Sequence, residues 1–137
     1  MNQHAQFLVL RRKEDRGSPL HAWQAIHGQV NGQETAVEAA RRRIHEVTGL
    51  TPSSLYSADY VGQFYDSQSD VVVLAPAFAA RFDDDVLPML ASEYIDYAWC
   101  DLEETTARLP MSAQRWAVRH IYATIALGGE ESALYQL

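Results

Sequence analysis

Residues 28–50, GQVNGQETAVEAARRRIHEVTGL, decide the fold. Thr35-Ala36-Val37-Glu38 has the Thr-x-x-Glu spacing of a capping box, in which each side chain satisfies the other residue's free backbone N–H. A helix is expected to start there. Val37, Ala40, Ile44 and Val47 recur at steps of three and four, which gives one apolar stripe to bury. Gly49 suits the left-handed position that ends a helix, and Pro52 follows as a stop. At about 100° per residue, positions 43, 46 and 47 fall within an arc of roughly 100°, so their side chains gather at one patch. That patch holds Arg43, Glu46 and Val47: a cation, an acid and an aliphatic chain.

On the N-terminal side of this helix, residues 6–11 (QFLVLR) read as a strand and the polar KEDRGSPLH after it as a loop. Residues 23–30 read as a second extended segment. On the C-terminal side, residues 55–65 and 70–82 are rich in Val, Tyr and Phe and flank the polar DSQS, so they read as two strands of a hairpin. Residues 92–100 read as one more strand. Asp101 is placed to cap a short helix to Leu109, and Ser112 to cap a longer one to Leu127, ended by Gly128-Gly129. The tail EESALYQL is read as frayed or packed on a neighbour. The chain is expected to be α/β, one domain over residues 1–137.

With 137 residues the chain can bury a real core. Its net charge of -7 argues against a duplex nucleic-acid partner, whose phosphates need a basic face. A small nucleotide needs only a few local cations. The lone Cys100 excludes an internal disulfide and fits a small buried residue in a reducing cytoplasm. No apolar run reaches the roughly 18 residues of a membrane helix, and MNQHAQ lacks the regions of a signal peptide. A cytoplasmic protein without a membrane partner is expected.

Gly28, Glu34, Arg42, Ile44, Glu46, Gly49 and Leu50 fall in the frame Gly, five residues, Glu, seven residues, Arg-Glu, hydrophobic, any, Glu-Glu, any, Gly, hydrophobic. The chain thereby resembles the Nudix family of nucleoside-diphosphate-X hydrolases. Arg43 and Val47 stand where that family carries two catalytic glutamates. WQAIHG, PAFAA, SEYIDYAW and AQRWAVRHI look like the branch of dATP or dihydroneopterin-triphosphate pyrophosphohydrolases, with Tyr94 replacing a His. The resemblance implies an α/β/α sandwich around a central mixed sheet. Few residues precede FLVLRR, so the family's usual first strand is expected to be missing, supplied by a partner chain as in a homodimer, or cut off by a gene start set too late.

Hydrolysis of a pyrophosphate calls for Mg²⁺ or Mn²⁺, held by hard oxygens, to neutralise phosphate charge and activate water. By resemblance the ligands are Glu46, which is also the catalytic residue, the Gly28 carbonyl and Glu93, whose other reading is a surface glutamate at a strand start. A divalent ion beside Arg43 meets repulsion of about 8 kcal/mol at 4 Å and an effective dielectric near 20. Arg43 is read instead as a direct phosphate contact or as a substitution tolerated once activity was lost. Arg11 and Arg12 alternate in direction, and the family match favours Arg12 as a phosphate contact. Trp23 and Gln24 are candidates to line a base pocket, although a strand Trp is more often core. Glu34, Arg42 and Gly49 are read as the frame of the motif. Phe64 and Tyr65 carry the same two readings, base pocket or core, with core favoured; His45 is read as exposed, and His27, His120 and the acidic run at 83–85 as carrying no site. Two functions follow: a Nudix-type hydrolase of a nucleoside triphosphate or related pyrophosphate with impaired or atypical metal-dependent activity, or an inactive nucleotide-binding or protein-interaction module.

Overall fold

The computed structural model describes residues 1–13, 23–83 and 86–137. Its elements are β1 (Phe7–Arg12), β2 (Trp23–Gln24), α1 (Ala36–Thr48), β3 (Ser54–Asp66), β4 (Val71–Arg81), β5 (Tyr94–Cys100), α2 (Leu102–Arg108) and α3 (Ser112–Ile121). A π-helical turn over Tyr122–Ala126 and a 3-10 segment over Gly129–Tyr135 complete it. Most of the polar loop after β1 lies outside the described residues, as do Asp84 and Asp85 of the acidic run; Asp83 is exposed.

The α/β sandwich expected from sequence is present, and its strand layer is made of two antiparallel sheets. One has the order β2-β1-β5 and the other is the β3-β4 hairpin. Both edges of β1 are taken by β2 and β5, which leaves β3 and β4 to pair with each other. Alternation along β1 sends Phe7 and Val9 to one face and Leu10 to the other. Phe7 and Val9 meet Tyr56 and Ala58 of β3 together with Val118 and Ile121 of α3. On the opposite side α1 spans both sheets, with Val47 against Leu10 and Tyr94, and Ile44 against Leu55 and Phe82. Each such fully buried aliphatic chain contributes about 1.5–3 kcal/mol. The stripe read from sequence is the seam that joins the layers.

The helix α1 starts and stops as its residues dictate. The Thr35 Oγ1 accepts from the Glu38 N–H at 3.2 Å, and the Glu38 carboxylate accepts from the Thr35 N–H at 2.7 Å. Gly49 takes φ 67° and its N–H donates to the His45 carbonyl at 2.7 Å.

Elsewhere the boundaries differ from the sequence reading. The second extended segment is only two residues long, because Ala25 turns its N–H to the Gln114 side chain and leaves the ladder. A turn in which the Tyr94 N–H donates to the Ala91 carbonyl delays β5 to Tyr94. Met111, not Ser112, occupies the cap position of α3, without a side-chain cap bond. The regular helix ends at Ile121, and the following π-helical turn brings Gly128 so close that a Cβ there would lie 2.1 Å from the Thr124 carbonyl oxygen. The tail is not frayed: Gln136 bridges to Tyr56 and the Leu137 N–H donates to the Leu55 carbonyl. Phe64 and Tyr65 are exposed rather than core, since the hairpin runs past the helices that would cover them. Ahead of β1, residues 1–6 form a turn, and the Met1 carbonyl accepts from the Phe82 N–H at 2.9 Å.

Candidate functional site

The loop between β2 and α1 is held by two of the three residues read as frame, Glu34 and Arg42. Arg42 grips Glu34 with Nε at 3.0 Å and Nη2 at 2.6 Å, and the same Nη2 donates to the Gln29 carbonyl at 3.0 Å. Glu34 in turn accepts from the Asn31 N–H at 2.6 Å, closing the turn at Gly32. The bond from Arg42, then the one from Asn31, holds the Glu34 carboxyl below its ordinary value. The bond to Glu34, then the one to Glu46, pushes Arg42 upward.

One residue further on, Arg43 points across the cleft. Its Nε donates to the His27 carbonyl at 3.0 Å, its Nη2 to Glu93 Oε1 at 2.5 Å, and its Nη1 lies 3.6 Å from Glu46 Oε2. The stem lies on Gly28, where a Cβ would sit 2.9 Å from Arg43 Cγ. A side chain at 28 would therefore have to push the Arg43 stem aside. Burial opposes the charge on Arg43, but the bonds to Glu93 and Glu46 outweigh it and its pKa is raised. Glu46 is shared, accepting from Arg42 Nη1 at 3.0 and 3.1 Å. Val47 is fully buried against Leu10 and Tyr94, turned away from the cleft.

A short polar chain borders this cluster. Gln24 Nε2 donates to the Tyr94 hydroxyl at 2.9 Å, and Gln24 Oε1 lies 3.3 Å from His27 Nε2. Arg12 is exposed at the end of β1, registered opposite Tyr94, while Arg11 is registered opposite Trp23 and Asp96. Burial, then the charges of Arg43 and Arg12, holds the His27 imidazole below its ordinary value, with Glu93 pulling the other way. The strand sends Trp23 to the opposite face from Gln24, into the core with Phe7 and Val9. There the Arg108 guanidinium stacks 4.5 Å above its ring. Tyr94 and His27 are the members of the cluster that sequence reading left out; the signal was their position next to Glu93 and Gly28.

The structure thus brings Gly28, Arg43, Glu46, Glu93, Gln24 and Arg12 to one cleft and leaves Trp23 and Val47 out of it. These residues do not fit a divalent cation. Both candidate carboxylates already answer the Arg43 guanidinium, and among the described residues no group of three acidic, His or Cys side chains is placed to hold a metal. His45 is exposed and His120 stacks on Tyr60 at 6.0 Å, so neither adds a ligand.

Comparison with known proteins agrees with this architecture. The model of the NUDIX domain matches residues 1–122. An octanoyltransferase of Myxococcus xanthus is 29% identical over 121 residues, 87% of this chain and 33% of that protein. The chain therefore spans about a third of that relative's length. The E. coli dihydroneopterin triphosphate pyrophosphohydrolase superimposes with a TM-score of 0.74 at 20% identity, covering 88% of this chain and 87% of the other. The NUDIX domain of Shewanella oneidensis NrtR, solved with ADP ribose, superimposes with a TM-score of 0.63 at 14% identity, covering 86% and 76%.

Proposed function

The chain belongs to the Nudix family of hydrolases, and on that premise we propose that its cleft binds a phosphorylated nucleotide without hydrolysing it by the family's metal-assisted route. One observation carries the reading: the Arg43 guanidinium stands between Glu46 and Glu93, resting on Gly28. Nudix enzymes generally use divalent metals. Here an internal cation takes the same carboxylates, and a second, mobile cation would have to displace it against like charge. Water activation by a metal is the step this arrangement forgoes.

Binding draws on the same side chains. Arg12 lies exposed at the mouth, and the N–H groups of Arg43 not directed to Glu93 or His27 suit phosphate oxygens by forked, charge-assisted bonds. Gln24 and the Tyr94 hydroxyl offer neutral polar contacts to a sugar or base. A ligand with a diphosphate is supported by the ADP ribose of the S. oneidensis domain, which shares the fold. The buried Cys100 thiol suits a reducing, cytoplasmic setting, and no helix among the described residues is long and apolar enough to cross a membrane.

The test is calorimetry of the full chain with ADP-ribose and ATP, in EDTA and then in Mg²⁺ or Mn²⁺, run beside an assay of phosphate and pyrophosphate release. Binding that survives EDTA and is weakened by Arg12→Ala, with no release of product, is expected. Mg²⁺-dependent turnover that disappears in Glu46→Gln would replace this reading with that of a working hydrolase. Absence of heat with either nucleotide in all buffers would leave an interaction module.

A further inference from the structure

Beyond the register shift between Ser57 and Val61, the hairpin continues as a two-stranded ribbon in which Val61 to Asp66 pair with Pro76 to Val71. At the base of the hairpin the outer edges are covered. Gln136 and Leu137 lie along β3 at Tyr56 and Leu55, and Met1 bonds to Ala80 and Phe82 at the end of β4. Further out the side chains are exposed. Register and alternation place Val61, Tyr65, Val72 and Leu74 on one face of the ribbon. They are 55%, 62%, 66% and 65% exposed. Phe64 belongs to the other face.

Two-stranded ribbons are marginal in water unless a face is packed against something. Natural sheets guard open edges with charge, above all Lys, yet residues 61–76 contain no Lys or Arg. The four residues together expose on the order of 400 Å², backbone and the Tyr65 hydroxyl included, about half of the roughly 800 Å² per partner that a standard interface buries. The Tyr65 hydroxyl already donates to Asp70 at 2.7 Å, so covering its ring strands no polar group.

We propose that this face packs against the same face of a second copy, with the two ribbons antiparallel about a two-fold axis. The occupant is argued from charge and area. The only charged residues in the stretch 61–76 are Asp66 and Asp70, both at the tip. On a chain of net charge -7, an antiparallel pair sends the two acidic tips to opposite ends and leaves apolar side chains facing apolar side chains. An acidic partner gains nothing from the tips, and a basic one would find its charges beyond the apolar face. A like face meets both conditions at once.

The proposal is tested by the mass of the full chain in light scattering and sedimentation over a dilution series. A dimer that dissociates on dilution is expected. Val72→Lys with Leu74→Lys should raise its dissociation constant at least tenfold, while at dilutions where both proteins are monomeric the thermal midpoint should match the parent's because both residues are exposed. Phe64→Ser, on the opposite face, should leave the dimer intact. Gln63→Cys, central on the proposed face, should cross-link under mild oxidation, since Cys100 is buried. A chain that stays monomeric up to its solubility limit overturns the proposal, as does a dimer indifferent to the double lysine change or one that Phe64→Ser disrupts equally.

Discussion

Arg42 and Arg43 are neighbours of one residue type on one helix, and they serve different parts of the molecule. Arg42 reaches back to Glu34 and the Gln29 carbonyl and so holds the loop to its helix. Arg43 reaches across the cleft to Glu93, in the turn before β5, and takes Glu46 with it. The first contact set belongs to the frame of the family motif. The second replaces the motif's chemistry. The contrast teaches that the fold of this segment and its cleft are physically separable: the cap, the loop clamp and the buried stripe need neither metal nor glutamate at position 43 or 47.

The sharpest way to break the comparison is to restore acids one at a time. Val47→Glu puts a carboxylate into the cluster of Leu10 and Tyr94, where burial leaves it without a partner, so a loss of about 3–5 kcal/mol in chemical denaturation is expected. A variant that folds as well as the parent would show that position 47 can still turn to the cleft. Arg43→Glu should do the opposite. It removes the internal cation and groups an acid with Glu46 and Glu93 over Gly28, so Mn²⁺ affinity in calorimetry should rise at least tenfold, about 1.4 kcal/mol. The variant should also melt higher with Mn²⁺ than without it, whereas the parent should be indifferent to the ion. Thr35→Ala tests the frame, with an expected loss of about 1 kcal/mol in denaturant melts and no change in Mn²⁺ binding.

How much of this was legible in the sequence follows the same division. The frame was readable because its interactions are local: Thr35 with Glu38, Glu34 with Arg42 and Gly49 after the last turn depend on spacing along one chain segment. The sandwich followed from the resemblance and the alternation of apolar residues. The Arg43 to Glu93 contact joins residues fifty apart, and spacing carries no trace of which way a guanidinium turns. The burial of Val47 was implied by its stripe, yet the outward direction of Phe64 and Tyr65 was not. An apolar strand reads the same whether it lines a core or an exposed ribbon. The regular part of α3 ends at Ile121 because the chain passes into a π-helical turn over Tyr122–Ala126, which apolar spacing does not distinguish from a continued α-helix.

The smallest expected effect separates the two arginines by pH. Glu34 and Glu38 both have carboxyls held below their ordinary value of 4.5, Glu34 chiefly by Arg42 and Glu38 chiefly by the Thr35 N–H. For a carboxyl with a depressed folded-state pKa, the native state binds protons later than the unfolded state as pH falls, so the stabilisation is present above 4.5 and is lost on passing through the depressed value. The stability gap between the parent and Glu34→Gln should therefore be widest near neutral pH and close below 4.5. Denaturant melts across that range measure it, and the amide resonances of Asn31 and Thr35, whose N–H groups donate to these carboxylates, should titrate together with it. A gap that stays constant through the acid range would mean that Arg42 stabilises the loop by packing its stem rather than by its charge, and that the frame differs from the cleft in shape alone.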